Sequence, residues 1–268
     1  MDNRPIGVFD SGLGGLTAVK QLMRVLPNED IVYFGDTGRV PYGTRSPETI
    51  IKYVMQDVEF LKTFDIKMIV VACGTASTVA LPIVKEKVEI KMTGVVDEAA
   101  VCAIKATKNK KIGVIATPAT IKSDAFAKKI SSIASDISVF SNACPLFVPL
   151  VENGHFDSEV ARLVAKEYLQ PLKENDIDTL ILGCTHYPLL KEVIKEIMGD
   201  GVTLIDVGEA TAQYTKRFLE ENDMLSLAKK ASYSYFVSDS VDNFAHLGSL
   251  FLQQEIGEMV NKIDIEKY

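Results

Sequence analysis

DIKMIVVACGT (residues 65–75) and DIDTLILGCTH (residues 176–186) align without a gap. In each, an Asp-Ile start leads into a run of β-branched and aliphatic residues that reads as a strand buried on both faces, as in a parallel sheet. Each run then ends on a cysteine flanked by glycine and hydroxyl-bearing residues. Cys73 falls on Cys184, 111 positions apart. IGVFDS (6–11) likewise matches IGVIAT (112–117), 106 positions apart, and VVD (95–97) resembles LID (204–206). The two halves read as copies of one unit. Open parallel sheets bind ligands outside the carboxyl ends of their strands, so two such units facing each other would present both cysteines to one cleft.

Working outward, strand-like runs alternate with helical periods. Strands are expected at Pro5–Phe9, Ile31–Phe34, Ile66–Ala72, Thr93–Val96, Lys111–Ala116, Ile137–Phe140, Thr179–Gly183 and Val202–Ile205. Helices are expected from about Leu16 to Val25, after SPET (46–49) and from about Thr75; Ser followed by Pro and Glu is a helix-start signal. Alternating βα units imply doubly wound, mostly parallel sheets with helices on both faces. The predicted fold is α/β: two pseudo-symmetric domains with the active site in the cleft between them. The chain is expected to cross twice, near residues 97 and 208, giving one domain from 1–97 plus 209–268 and a second from 98–208. No low-complexity linker divides it.

Composition narrows the function classes. The 268 residues are 47% hydrophobic and 24% charged, with a formal net charge of -7, and KNKK (108–111) is the one basic cluster. A nucleic-acid partner is therefore not expected. No apolar run approaches the roughly 20 residues of a membrane span, and MDNRPIGVFD lacks a long apolar signal core, so the chain reads as cytoplasmic and not membrane-bound. Four cysteines without CxxC, and three histidines, give neither a disulfide framework nor a structural zinc site. No metal is expected. The glycine-rich DSGLGGLT (10–17) fails as a nucleotide loop, because a P-loop needs lysine and a GxGxxG fingerprint would need glycine at Thr17. The turn instead lets the chain pass close to a ligand and leaves the Ser11 hydroxyl exposed.

The chemistry follows from the strand ends. A thiol at the carboxyl end of a strand and the start of a helix lies in the field of unpaired N–H groups, which is expected to lower its pKa from about 8.5 toward neutrality. Two opposed thiols could take a proton from one face of a carbon and return one on the other. Thr75 and Thr185 and the neighbouring N–H groups would hold carboxylates, and Gly74 lets a ligand approach the backbone. Each residue also has a plainer role. A buried cysteine is ordinarily a small core hydrophobe, which is how Cys102 and Cys144 read; Asp10 could cap the helix after SGLGG, and Glu152 could be a solvated loop carboxylate. His155 and His246 read as structural or exposed. The paired motifs set Cys73 and Cys184 apart.

GVFDSGLGGLT (7–17), YFGDTGRVPYG (33–43), VACGTAS (71–77), VENG (151–154) and GCTHYPLL (183–190) together resemble the glutamate racemases of the aspartate/glutamate racemase superfamily, over essentially the whole chain. That resemblance implies cofactor-independent interconversion of L- and D-glutamate, the D-isomer feeding peptidoglycan, and commonly a homodimer. It implies that Cys73 exchanges a proton with D-glutamate and Cys184 with L-glutamate, with Asp10 assisting near Cys73 and Glu152 and His186 near Cys184. Asp10, Ser11, Tyr42, Gly43, Gly74, Thr75, Thr117, Thr120, Thr185 and His186 would line the substrate site. Three positions depart from the family pattern. Gly74 stands where asparagine is usual, removing an amide from the substrate's head group; Gly38 replaces alanine and Phe126 tyrosine. Gly74 keeps open a different acidic amino acid, such as aspartate, as substrate. A non-catalytic amino-acid-binding paralogue is the alternative of another class.

Overall fold

The computed structural model describes residues 1–268. The first stretch runs β1 (Ile6–Asp10), α1 (Leu16–Val25), β2 (Ile31–Gly35), α2 (Pro47–Lys62), β3 (Met68–Val71), α3 (Gly74–Val79), α4 (Leu81–Val84), β4 (Met92–Gly94) and α5 (Val96–Ala106). It continues with β5 (Lys111–Ala116), α6 (Pro118–Ser123), α7 (Ala125–Ile133), β6 (Ser138–Ala143), α8 (Phe147–Glu152), α9 (Glu159–Glu174), β7 (Thr179–Leu182), α10 (Lys191–Met198), β8 (Thr203–Asp206) and α11 (Val207–Glu221). The chain closes with β9 (Tyr233–Val237), α12 (Val241–Leu252) and β10 (Val260–Lys262).

These strands form two sheets, ordered β10-β9-β2-β1-β3-β4 and β6-β5-β7-β8, with every pairing parallel. β1, β2, β3 and β7 are buried at every position, which is why they read as continuous apolar runs. Helices cover both faces, as that burial requires.

The repeat is built into the topology. β2-β1-β3-β4 and β6-β5-β7-β8 have the same order. Ile6 pairs with Met68 in the first sheet as Ile112 pairs with Thr179 in the second, so the offsets of 106 and 111 read from sequence hold in register. The third match does not hold. Asp206 pairs with Leu182, while the residue opposite Val71 is Gly94; Asp206 therefore corresponds to Gly94, and Asp97 lies in the first turn of α5.

Local signals explain the main helix starts. Ser46 caps α2, its hydroxyl accepting from the Thr49 N–H at 3.4 Å with Pro47 in the first turn. Two apolar layers flank the first sheet. One holds Phe9, Phe34, Phe60 and Val71; the other runs from Leu16 and Leu22 through Tyr33 and Phe244 to Tyr187 and Cys184 of the second sheet's side. The latter layer is continuous across the two units, and α11 joins them again by packing on both α1 and α5.

Candidate active site

The carboxyl ends of β1, β3, β5 and β7 converge on one cavity of about 20 Å³, lined by Asp10, Ser11, Val40, Pro41, Tyr42, Gly43, Cys73, Gly74, Thr75, Thr117, Val148, Gly183, Cys184, Thr185 and His186. That volume admits one or two waters. Cys73 and Cys184 stand on opposite units of this cavity and are only 5% and 6% exposed.

Cys73 follows β3 and caps α3, its sulfur accepting from the Ala76 N–H at 3.5 Å and lying 3.6 Å from the Ser11 hydroxyl. The expected drop in its pKa does not occur. Burial, with the Asp10 carboxylate adding to it, outweighs those donors and pushes the thiol up to about 12. Asp10 is itself held above the usual carboxylate range by burial, against the pull of His186 and the N–H groups of Gly12 and Gly15. Asp10 bonds the turn that leads into α1, whose N-cap position is occupied by Gly15. One Asp10 oxygen accepts from Gly12 N–H at 2.9 Å, and the other accepts from the Thr185 hydroxyl at 3.1 Å, across the cleft.

Cys184 follows β7, but no α-helix starts there. The chain turns through a one-turn 3₁₀ helix at Tyr187–Leu190 before α10. In place of a helix field, the thiol has His186, whose Nδ1 lies 3.7 Å from the sulfur while its Nε2 lies 3.1 Å from Glu152 Oε1. Burial opposes the imidazolium, yet the hydrogen bonds to Cys184 and Glu152 prevail and hold its pKa well above the ordinary value.

The other expected site residues are brought together unequally. Thr75 and Thr117 hydroxyls meet across the cleft at 2.9 Å, and Thr120 stands behind them, 3.0 Å from Thr117 and 3.4 Å from Thr75. Glu152 reaches the cavity through His186 and is not part of its wall. Tyr42 lies in the wall, but its hydroxyl bonds Asp36 and, at 2.9 Å, Asp57. The Asp57 carboxyl is held above its usual range by burial and then by Asp36, against the pull of Arg39 and of the Tyr42 hydroxyl. Arg39 completes that cluster, 2.6 Å from Asp36 and 3.1 Å from Asp57, and so fixes the Val40–Gly43 wall from behind. Val40, Pro41, Val148 and Gly183 were not singled out from sequence, although three of the four lie in quoted motifs and Val148 lies just before VENG. No group of three or more His, Cys, Asp or Glu side chains is arranged to hold a metal ion, and no helix is long and apolar enough to cross a membrane.

Two α/β units that close on a polar cavity, with a thiol from each and separate acid–base partners behind the thiols, have the architecture of racemases and epimerases that work by two-base proton transfer. A profile of the family described as Asp/Glu/Hydantoin racemase matches residues 14–215. The glutamate racemase 2 of Caldanaerobacter subterraneus subsp. tengcongensis is 46% identical over 268 residues, covering 100% of each chain. A glutamate racemase isoform of Bacillus anthracis superposes with a TM-score of 0.95 at 41% identity, covering 98% of each chain. The glutamate racemase of Francisella tularensis, solved with D-glutamate, gives 0.92 at 43% identity over 100% of each. The chain belongs to the Asp/Glu/Hydantoin racemase family.

Proposed function

We propose that the protein is a glutamate racemase, interconverting L- and D-glutamate by two-thiol proton transfer and supplying D-glutamate for peptidoglycan. The observation that carries this reading is the pairing of Cys73 and Cys184 from opposite units on one cavity, in a chain whose full-length relatives carry that name. Cys73 takes the Cα proton of D-glutamate and Cys184 that of L-glutamate. Asp10 and Ser11 receive or steady the proton on the first side, and His186 with Glu152 on the second. Thr75, Thr117, Thr120, Thr185 and the backbone around Gly43 and Gly74 hold the carboxylates. The anion formed at Cα gains its stability from these donors in a site that excludes water. No cofactor is assigned a role.

The two units move as residues 1–97 with 209–268 against 98–208, opening to admit a glutamate that the closed cavity cannot hold. We place the enzyme in the cytoplasm, as a homodimer, which light scattering of the purified protein would check. Its four cysteines are unpaired, consistent with a reducing compartment.

Incubation with each enantiomer in D2O, followed by proton NMR and chiral chromatography, tests the mechanism. The wild type is expected to lose the Cα proton signal of either enantiomer while forming the other. Cys184→Ser is expected to exchange the Cα proton of D-glutamate alone, and Cys73→Ser that of L-glutamate alone, with racemisation reduced by about 10³-fold or more in both. Exchange from both faces in a single-thiol variant would rule out the two-thiol assignment. Turnover of aspartate faster than glutamate would move the substrate to the other acidic amino acid that Gly74 keeps open.

A further inference from the structure

We propose that Gly74 sets how far the cleft closes, because only a residue without a side chain lets the two walls meet backbone to backbone. A Cβ built on Gly74 would stand 2.4 Å from the carbonyl oxygen of Gly183 on the opposite unit, with the Thr120 hydroxyl 3.7 Å away. The obstruction is a main-chain atom, fixed by its place at the end of β7, so no rotamer change relieves it. Gly183 is held in turn: its N–H donates to Ile115 O at 2.8 Å, and a Cβ there would meet that same oxygen at 2.9 Å. A side chain at 74 would therefore have to part the walls by about 1 Å to reach ordinary contact at 3.4 Å.

Other cross-cleft contacts depend on that approach. The Thr75–Thr117 bond at 2.9 Å belongs to the residue next to Gly74, and Gly43 packs on the Thr117 side chain, its Cβ position 2.9 Å from Thr117 Cβ. Together these leave the cavity of about 20 Å³ with both thiols covered. The closed arrangement is thus held by contacts of the two walls with each other. Gly74 governs its population by acting on the gap, as a positioning residue. The backbone of Gly74 lies outside the left-handed region, so alanine fits its helix and the effect is confined to the cleft.

Thiol accessibility reads this directly and does not depend on which amino acid is the substrate. Wild type and Gly74→Ala are treated with iodoacetamide at one pH without ligand, and the modification of each cysteine-containing peptide is followed by mass spectrometry. The expected result is several-fold faster modification at Cys73 and Cys184 in Gly74→Ala, with Cys144 unchanged and the same melting temperature. Cys144 is fully buried and does not line the cavity, so it reports general loosening. Equal rates in the two proteins, or an acceleration that includes Cys144, would overturn the proposal. Should Gly74→Ala fail to fold, wild-type labelling decides: Cys73 and Cys184 are expected to react several-fold more slowly than the part-exposed Cys102, and equal rates would overturn the proposal. A negative result would leave the racemase assignment standing, since loss of activity is not the readout.

Discussion

Cys73 and Cys184 occupy corresponding places in the repeat but have unlike neighbours. Cys73 looks onto a carboxylate and a hydroxyl, whereas Cys184 looks onto an imidazole backed by a carboxylate. The Cys73 environment predicts a pH dependence of stability. Its folded-state pKa, about 12, lies above the roughly 8.5 of a free thiol. The unfolded chain therefore ionises first, and the stabilising contribution is complete below about pH 8.5 and lost as pH rises toward the folded value, by about 1.4 kcal/mol per unit at most. Urea midpoints of wild type and Cys73→Ala, measured from pH 7.5 to 10, are expected to converge above pH 8.5. A stability difference that stays constant over that range would mean Cys73 is not held as a buried thiol. The cysteines themselves were legible, because the repeat singled them out from Cys102 and Cys144. Their acid–base environments were not, because a helix-field argument from sequence omits the burial that dominates at Cys73 and the turn that replaces a helix after Cys184.

Among the elements, the central strands were readable because burial on both faces leaves an unbroken apolar run. The edges were not. β6 runs to Ala143, beyond the expected Phe140; it is an edge strand with no fully buried residue, so it lacks the unbroken apolar run that marks the central strands. β9, with the sequence YSYFV, and the helix and short strand after it were not read as elements, although they extend the first sheet beyond β2; alternation of aromatic with polar residues was the available signal. α11 follows directly on β8, and Asp206 secures the junction. Its carboxylate accepts from the N–H groups of Gly208 at 2.8 Å and Glu209 at 3.2 Å. Asp206→Ala removes that cap and is expected to cost about 1 kcal/mol, lowering the melting temperature by roughly 2–4 °C for a chain of this size. Because α11 rests on both α1 and α5, the loss should appear in one cooperative transition. A second, separate melting step in Asp206→Ala would show that the two units are not coupled through this helix.

The whole molecule is two similar sheets meeting over a cavity too small for an amino acid, so the proposed racemisation includes a parting and closing of the units at each turnover. Motions of that size are commonly rate-limiting. Raising the relative viscosity twofold with sucrose is expected to reduce kcat to about half, with a small polymer that thickens the bulk but not the local solvent having less effect. A kcat insensitive to sucrose would place the slow step in proton transfer. The unlike walls have a further consequence. Enantiomers in water have equal free energies, so no arrangement of side chains shifts their equilibrium ratio from unity, and kcat/KM must be the same in both directions for any variant. What an uneven pair of thiols does control is how the enzyme is divided between its two protonated forms during turnover. It thereby decides which hand of the substrate saturates the protein at lower concentration and turns over more slowly. A handed site working on a balanced reaction expresses its asymmetry in occupancy, never in yield.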